Sequence, residues 1–344
     1  MSKITEREKE ILKILKNDPM ITQLDVARVL KITRSAAAVH ISNLIRKGYI
    51  LGRGYVFNDK SGVLVIGRIF VDILAAKASA GHSASKIDIC LGGPAYNISV
   101  HLAAQNIPAI PVSVIGRDHY GDIIGEKFNK KGLDTKFLII QDQFPTPRRL
   151  AFIETDQSSE ISDGRAIDML SVHRLQSINV TINHCGMVII DSGIPEEAVN
   201  YICVLSAAAG VPVFFKFNGD VKENAYYQSL DMFDYVMMTM DIAEDICQYK
   251  IKSLDDGIEA AQHILKKGVG KTVIILPELG VVMADEDGAV SVPLQPSQKI
   301  LDRCDVDIIT AGVANGIIKS YDYRQSVRLA LGAAGKRDVY DDVF

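Results

Sequence analysis

The chain has 344 residues, with 38 basic and 42 acidic side chains and a formal net charge of −4. That length accommodates two domains, and the balance of charge excludes a protein that coats nucleic acid over its whole surface. Hydrophobic residues make up 48% of the chain, enough for a large core, and no apolar run approaches the roughly 18 residues of a membrane span, so no membrane partner is expected.

The first twenty residues, MSKITEREKEILKILKNDPM, mix acids with bases and lack the apolar block of a signal peptide, so a cytoplasmic protein is expected. Residues 1 to 60 hold 12 Lys and Arg against 6 Asp and Glu, a charge of +6, whereas the remainder carries −10. A basic module ahead of an acidic body is the pattern expected when only the front part meets a polyanion. Within the module, Ile11, Leu12, Ile14 and Leu15 follow helical spacing behind a Thr5–Glu8 capping-box signature, and Asp18-Pro19 ends that helix. Thr22 caps a second helix, TQLDVARVLKI. Thr33 caps a third, TRSAAAVHISNLIRKG, in which Ala37, Ile41 and Leu44 share a face. The run YILGRGYVF then gives two short β-prone stretches about Gly52-Arg53-Gly54, a hairpin with a basic tip.

Residues 1–58 thereby resemble the winged helix-turn-helix DNA-binding domain, with ITRSAAAVHISNLIRKGYI matching the recognition helix and the turn into the wing. The resemblance implies double-stranded DNA as a partner, the third helix entering the major groove and the wing lying on the backbone. It implies base contacts for Arg34, Ser35, Ala36, Val39 and His40 and phosphate contacts for Lys47 and Arg53. Val39 stands where a polar residue is usual, which limits base readout by one module. A homodimer supplying a second recognition helix is expected.

Residues 59–62, Asp-Lys-Ser-Gly, read as a linker, and residues 63–344 as one further domain. GVLVIGRIFVDIL opens that domain as a buried strand of a parallel sheet. Apolar runs PAIPVSVIG, MVIID, VPVFFKF, DYVMM and KTVIILP follow, separated by helical stretches such as YNISVHLAAQN, PEEAVNYICVLSAAA and SLDDGIEAAQHILKKG. The alternation predicts an α/β sandwich with helices on both faces. SASKIDICLGG and RRLAFIETDQ read as exposed strands of a small second sheet. Cysteines 90, 185, 203, 247 and 304 show no Cys-x-x-Cys spacing and read as reduced core thiols.

This order, with several local motifs, resembles the ribokinase or PfkB superfamily of sugar and nucleoside kinases, and with the N-terminal module it looks most like the pseudouridine-kinase-like branch. The expected fold is a three-layer α/β/α sandwich with a small β lid. By resemblance, Gly92, Gly93 and Asn97 of LGGPAYNIS form the sugar-side signature, Asp72 of GRIFVD accepts a sugar hydroxyl, and Gly116, Asp118 and Gly121 mark the next strand-to-helix turn. Phosphoryl transfer in the family uses a Gly-Ala-Gly-Asp turn, whose backbone N–H groups form an anion hole and whose Asp takes the hydroxyl proton. Here that turn is Cys304-Asp305-Val306-Asp307.

The base position survives as Asp307, while Cys304, Asp305 and Val306 read as a degenerate anion hole. A β-branched Val306 disfavours the positive-φ geometries of a glycine turn, Asp305 sets a carboxylate near an ATP tail, and losing one oxyanion donor costs about 3 kcal/mol. On the nucleotide side, Asp241 and Glu244 align with a family Asn-x-x-Glu motif, Gly280 with the last glycine of a Thr-x-Gly-x-x-Gly loop, and Lys216 stands where an aspartate is usual. The carboxylates Asp302, Asp305 and Asp307 read as solvated or capping, so no metal site is expected. These departures predict a DNA-binding transcriptional regulator whose PfkB-like domain senses a small sugar, nucleoside or related metabolite, without a cofactor. ATP and Mg²⁺ enter only if the domain is an active sugar or nucleoside kinase; a ligand-free scaffold is the third alternative.

Overall fold

The computed structural model describes residues 4–18, 21–47, 49–52, 56–57, 62–77, 85–154, 157–219, 221–294 and 303–334. The chain divides into two compact units, Met1–Lys60 with Ala208–Gly210, and Ser61–Ala207 with Val211–Phe344. The expected linker 59–62 lies outside the described residues except for Gly62, which already opens a strand.

In the first unit α1 (Glu6–Asn17), α2 (Gln23–Leu30) and α3 (Arg34–Arg46) each start at a threonine. The hydroxyls of Thr5, Thr22 and Thr33 accept from the backbone N–H three residues on, and Glu8 completes the reciprocal box with Thr5. Such caps satisfy amides that the first helical turn leaves without partners. The wing strands β1 (Ile50–Gly52) and β2 (Val56–Phe57) pair antiparallel, while Arg53 at the expected tip lies outside the described residues. Ile11, Leu15, Val26, Ala37, Ile41, Leu44 and Ile50 form the core, so every helix and the first wing strand contribute to it.

The strands of the second unit are β3 (Gly62–Ile66), β4 (Phe70–Lys77), β5 (Ser85–Gly92), β6 (Ala109–Gly116), β7 (Leu138–Gln141), β8 (Arg148–Glu154), β9 (Gln157–Asp163), β10 (Cys185–Asp191), β11 (Val213–Lys216), β12 (Tyr235–Thr239), β13 (Lys271–Leu276), β14 (Gly280–Asp285) and β15 (Gly288–Pro293). Its helices are α4 (Pro94–Ala104), α5 (His119–Lys130), α6 (Val172–Leu175), α7 (Asn179–Ile182), α8 (Glu196–Ala209), α9 (Met240–Cys247), α10 (Leu254–Leu265), α11 (Arg303–Ile318) and α12 (Tyr323–Ala333).

Nine strands form one sheet in the order β15-β14-β13-β12-β11-β10-β3-β6-β7. It is parallel from β13 through β7 and closes with two antiparallel pairs at β14 and β15. Alternate residues point to opposite faces. Val63, Val65, Met187, Ile189 and Met283 share one core with residues of α4, α11 and α12. On the other face α10 packs so closely that a Cβ on Gly257 would stand 2.8 Å from Leu276 and 2.9 Å from Val282. This is the expected sandwich.

A second sheet has the order β5-β4-β8-β9. Both expected lid strands are in it, at β5 and β8, and two more flank or join them. GRIFVDIL is not the end of the first strand: the chain leaves the main sheet at Ile66 and pairs again from Phe70 as β4 of the lid. Asp72 therefore belongs to the lid.

Candidate functional site

The C-terminal ends of β3 and β11, the N-termini of α4 and α11, and one face of the lid border a cleft with about 590 Å³ of space, part of it open to solvent. That is in the range of small-molecule sites, and its place beyond the carboxyl ends of parallel strands is where open α/β sheets bind ligands. Its wall includes Gly93, Asn97 and Asp307, three of the expected residues. Gly93 has φ +92, and a Cβ there would stand 2.7 Å from the carbonyl oxygen of Arg68, so the turn into α4 requires glycine.

Asp307 is buried at the floor. Asn97 Nδ2 donates to its Oδ2 at 2.8 Å, and Lys216 Nζ lies 2.8 Å from Oδ1, both charged side chains being only 2% exposed. The lysine approaches that oxygen as an ion pair without hydrogen-bond alignment. Lys216 also donates to Asn218 Oδ1, and Asn218 Nδ2 donates to Asp191 Oδ1 and, at 3.2 Å, to Ser192 Oγ. Asp191 in turn accepts from Arg68 through the backbone N–H at 2.9 Å, Nε at 2.9 Å and Nη2 at 3.0 Å. Burial alone would raise the Asp191 carboxyl, but Arg68 and Lys216 outweigh it and hold it below the ordinary range.

Asp72 does not border the cleft. Both of its oxygens accept from Arg149, at 2.8 Å from Nε and 2.6 Å from Nη2, because β4 and β8 set the two residues directly opposite each other. Burial lifts the Asp72 carboxyl above its usual value against the pull of Arg149. The expected hydroxyl acceptor is thus an anchor for an arginine, and Arg149 is the side chain that reaches the wall. Gly92 serves this pair, since a Cβ on it would overlap Asp72 Oδ2.

Asp305 and Val306 sit in the first turn of α11, away from the wall. The expected conflict with a glycine turn does not arise: among the described residues positive φ outside glycine falls only at Lys31, Asn106, Gln248 and Ser320, and Val306 is helical and packed in the core. The change that remains is Asp305, a carboxylate 7% exposed in the first turn. Cys304 is helical too, with its side chain outside the description.

On the nucleotide side Glu244 is committed to local structure, accepting from Lys250 Nζ at 2.5 Å and from the Ile251 N–H at 2.8 Å; these bonds hold it below the ordinary glutamate range. Asp241 accepts from the Thr239 hydroxyl. Gly280, at φ +144, lets β14 pass beside β15. Glu244 thus ties α9 to the segment that leads into α10. Asp118, by contrast, is held low by Thr146 and caps α5 through the Gly121 N–H.

In the first unit, α3 turns Ala37, Ile41 and Leu44 inward and leaves Arg34, Ser35 and Val39 exposed, with Ala36 and His40 half-buried. His40 Nδ1 is buried without a hydrogen-bond partner. Lys47 is a correction: its Nζ lies 2.7 Å from Glu8 Oε2, the side chains being 10% and 2% exposed, so it ties α3 to α1 and does not face a phosphate. A buried carboxylate at a helix start requires a partner, and Lys47 is within reach.

Arg68, Asn218 and the lid residues Glu160 and Ser162 border the cleft without having been singled out from the sequence. Asn218 carried a signal, since it lies two positions beyond the unusual Lys216.

Residues 60–336 match the pfkB family of carbohydrate kinases and residues 4–50 a winged helix-turn-helix DNA-binding family. An uncharacterised sugar kinase, YeiI, of Escherichia coli is 28% identical over 339 residues, 96% of this chain and 93% of its own, so the likeness spans both units. The pseudouridine kinase of the same organism is 22% identical over 80% of this chain and 90% of its own. The structure of Arabidopsis thaliana ribokinase complexed with ribose and ATP superposes with a TM-score of 0.67 at 20% identity, over 80% of this chain and 91% of that one.

Proposed function

The chain belongs to the pfkB family of carbohydrate kinases, and on that basis we propose that it is a DNA-binding regulator whose kinase-type domain binds a small sugar, nucleoside or related metabolite instead of phosphorylating it. The observation that carries this reading is the state of Asp307. A general base must accept a proton from a substrate hydroxyl, yet its two oxygens are already engaged by Asn97 and by Lys216 in a pair 2% exposed. A substrate hydroxyl would have to share this carboxylate with a buried cation, and losing one partner of such a pair costs about 3–5 kcal/mol. The carboxylate of Asp305, in the first turn of α11, adds a like charge at the helix end that would otherwise favour an anion. The sugar-side turn at Gly93 and Asn97 is intact, which supports binding without transfer. The winged helix would carry the output to double-stranded DNA, and ligand would act by favouring one arrangement of the protein.

One observation favours the rival, an active sugar or nucleoside kinase with a DNA-binding module. The first turn of α11 retains its helical backbone at Asp305 and Val306, and helix N-termini bind anions through their free N–H groups. The deciding experiment is ATP consumption with Mg²⁺ across nucleosides and pentoses, with Asp307→Asn as control. The regulator reading expects no turnover above that control from folded protein. Turnover lost in Asp307→Asn would establish the kinase.

Dimerisation through the lid belongs to the same proposal. The lid face opposite Asp72 and Arg149 carries Ile87, Phe152 and Ile161, which are 65%, 43% and 70% exposed, beside the half-buried Ile73, Ile89 and Leu150. An exposed apolar sheet face of this kind marks an interaction site, and a second copy would cover it, giving one particle two winged helices.

A further inference from the structure

We propose that α3 selects DNA by the C5-methyl groups of thymine, with Val39 as the residue that reads them; this deepens the DNA-binding reading above and rests on it. A winged helix-turn-helix lays its recognition helix in the major groove, and the match of residues 4–50 to that DNA-binding family makes α3 the helix concerned. Which side of α3 meets the bases follows from its packing. Ala37, Ile41 and Leu44 are buried in the core of the first unit. At about 3.6 residues per turn, the side opposite them carries Ser35, Val39, Ser42 and Arg46, all exposed, with Ala36 and Asn43 half-buried beside them.

Val39 is the centre of that surface. Ser35 and Ala36 stand one turn before it, and Ser42 and Asn43 one turn after. These neighbours are short, so nothing next to Val39 holds the helix away from the floor of a groove, and its γ-methyls, in a residue 59% exposed, are presented to that floor.

The chemistry of the other positions excludes most of the base code at this centre. Cytosine is read by a carboxylate that accepts from its N4 amino group, and α3 contains no Asp or Glu. Adenine is read by an amide that offers oxygen and NH₂ together, but Asn43 is half-buried and its Oδ1 accepts from Arg46 Nη2 at 2.9 Å. Guanine is read by arginine, and Arg34 and Arg46 stand at the two ends of α3, so that contact belongs to the flanks. A serine hydroxyl both donates and accepts and separates bases poorly. His40 is half-buried, with its Nδ1 covered. What the centre of α3 offers is apolar contact, and the apolar group on a major-groove edge is the C5-methyl of thymine.

The charge of the unit fits the same partner. Residues 1–60 hold 12 Lys and Arg against 6 Asp and Glu, so attraction to phosphates supplies affinity without regard to sequence. The methyl contact supplies the preference, and burying one such group is worth about fourfold in affinity.

The test uses the full chain. Genomic fragments are selected for binding, the protected site is mapped by footprinting, and that site is synthesised with thymine and again with deoxyuridine at every thymine position. The two duplexes differ in methyl groups alone, because uracil keeps each hydrogen-bonding group of thymine. Fluorescence anisotropy at fixed salt should show the thymine duplex bound about fourfold tighter for each methyl in contact. Val39→Ser, an exposed substitution that leaves the inward face of α3 untouched, should bind the two duplexes equally. A deoxyuridine duplex bound as tightly as its thymine counterpart by the unaltered protein would overturn the proposal and leave DNA binding standing, as would a protected site without thymine. A thymine preference retained in Val39→Ser would place its origin in the shape of the duplex and overturn the assignment to Val39. Selection that enriches no fragment over bulk DNA would overturn the reading of specific DNA binding as well.

Discussion

Lys216 and Asp307 show what a single residue decides in this molecule. With both side chains 2% exposed, each charge is tolerable only while the other is present, so truncating one partner costs more than replacing both. Lys216→Met should lower the unfolding free energy by about 3–5 kcal/mol, and adding Asp307→Leu should restore most of the loss. Urea titration of the two variants checks it; a double variant no more stable than the single would mean that Asp307 is not the partner that matters. Site residues were legible where the chain itself supplies the signal, as at Gly93 and Asn97. They were misassigned where a partner arrives from afar. Asp72 meets Arg149 from 77 positions away, and Glu8 meets Lys47 from 39. An aspartate waiting for a hydroxyl and one clasped by an arginine read alike in one sequence, because the difference lies in which strands become neighbours.

At the scale of elements, the apolar strands and the capped helices of the first unit were legible, since caps and periodicity are local. The run GVLVIGRIFVDIL was not, because one apolar stretch supplies β3 to the main sheet and β4 to the lid, and hydropathy does not report which sheet a strand joins. Nor was β9, whose sequence QSSEISD offers only Ile161 as an apolar residue. The contact between α1 and α3 makes a prediction about pH. Burial pushes Glu8 upward, but Lys47 and Thr5 outweigh it and hold the carboxyl below its ordinary value. A carboxyl lowered in the folded state contributes stability above its unfolded pKa, and that contribution disappears as pH falls through the folded value. The protection factors of α1 and α3 amides in the full chain, with the intrinsic exchange rate divided out, should therefore fall on acidification below about pH 4. Glu8→Gln should already exchange faster at neutral pH and lose this acid dependence. Equal acid sensitivity in Glu8→Gln would place its source in another group.

At the scale of the whole molecule, the two ideas that meet are the exposed lid face and the modest chemistry of α3. Its exposed positions offer Arg34 and Ser35, while Val39, 59% exposed, offers a base edge only apolar contact. One module so equipped would bind largely through the sequence-independent backbone term, which is strongly salt-dependent. Two modules on a dimer would instead bind with the second contact intramolecular, a gain of about 10²–10⁴ without any new side chain. The lid is where that gain can be removed without touching α3 or the cleft. Ile161 is 70% exposed on the outer face, so Ile161→Asp should change stability by no more than about 0.5 kcal/mol, the ordinary range for a surface substitution. It should nevertheless halve the mass seen by light scattering, because a carboxylate buried in an apolar contact has no partner there. Affinity for a selected genomic fragment should fall with it by about a hundredfold. A monomeric parent protein would end the dimer proposal, and a monomeric variant that keeps full affinity would show that one winged helix suffices.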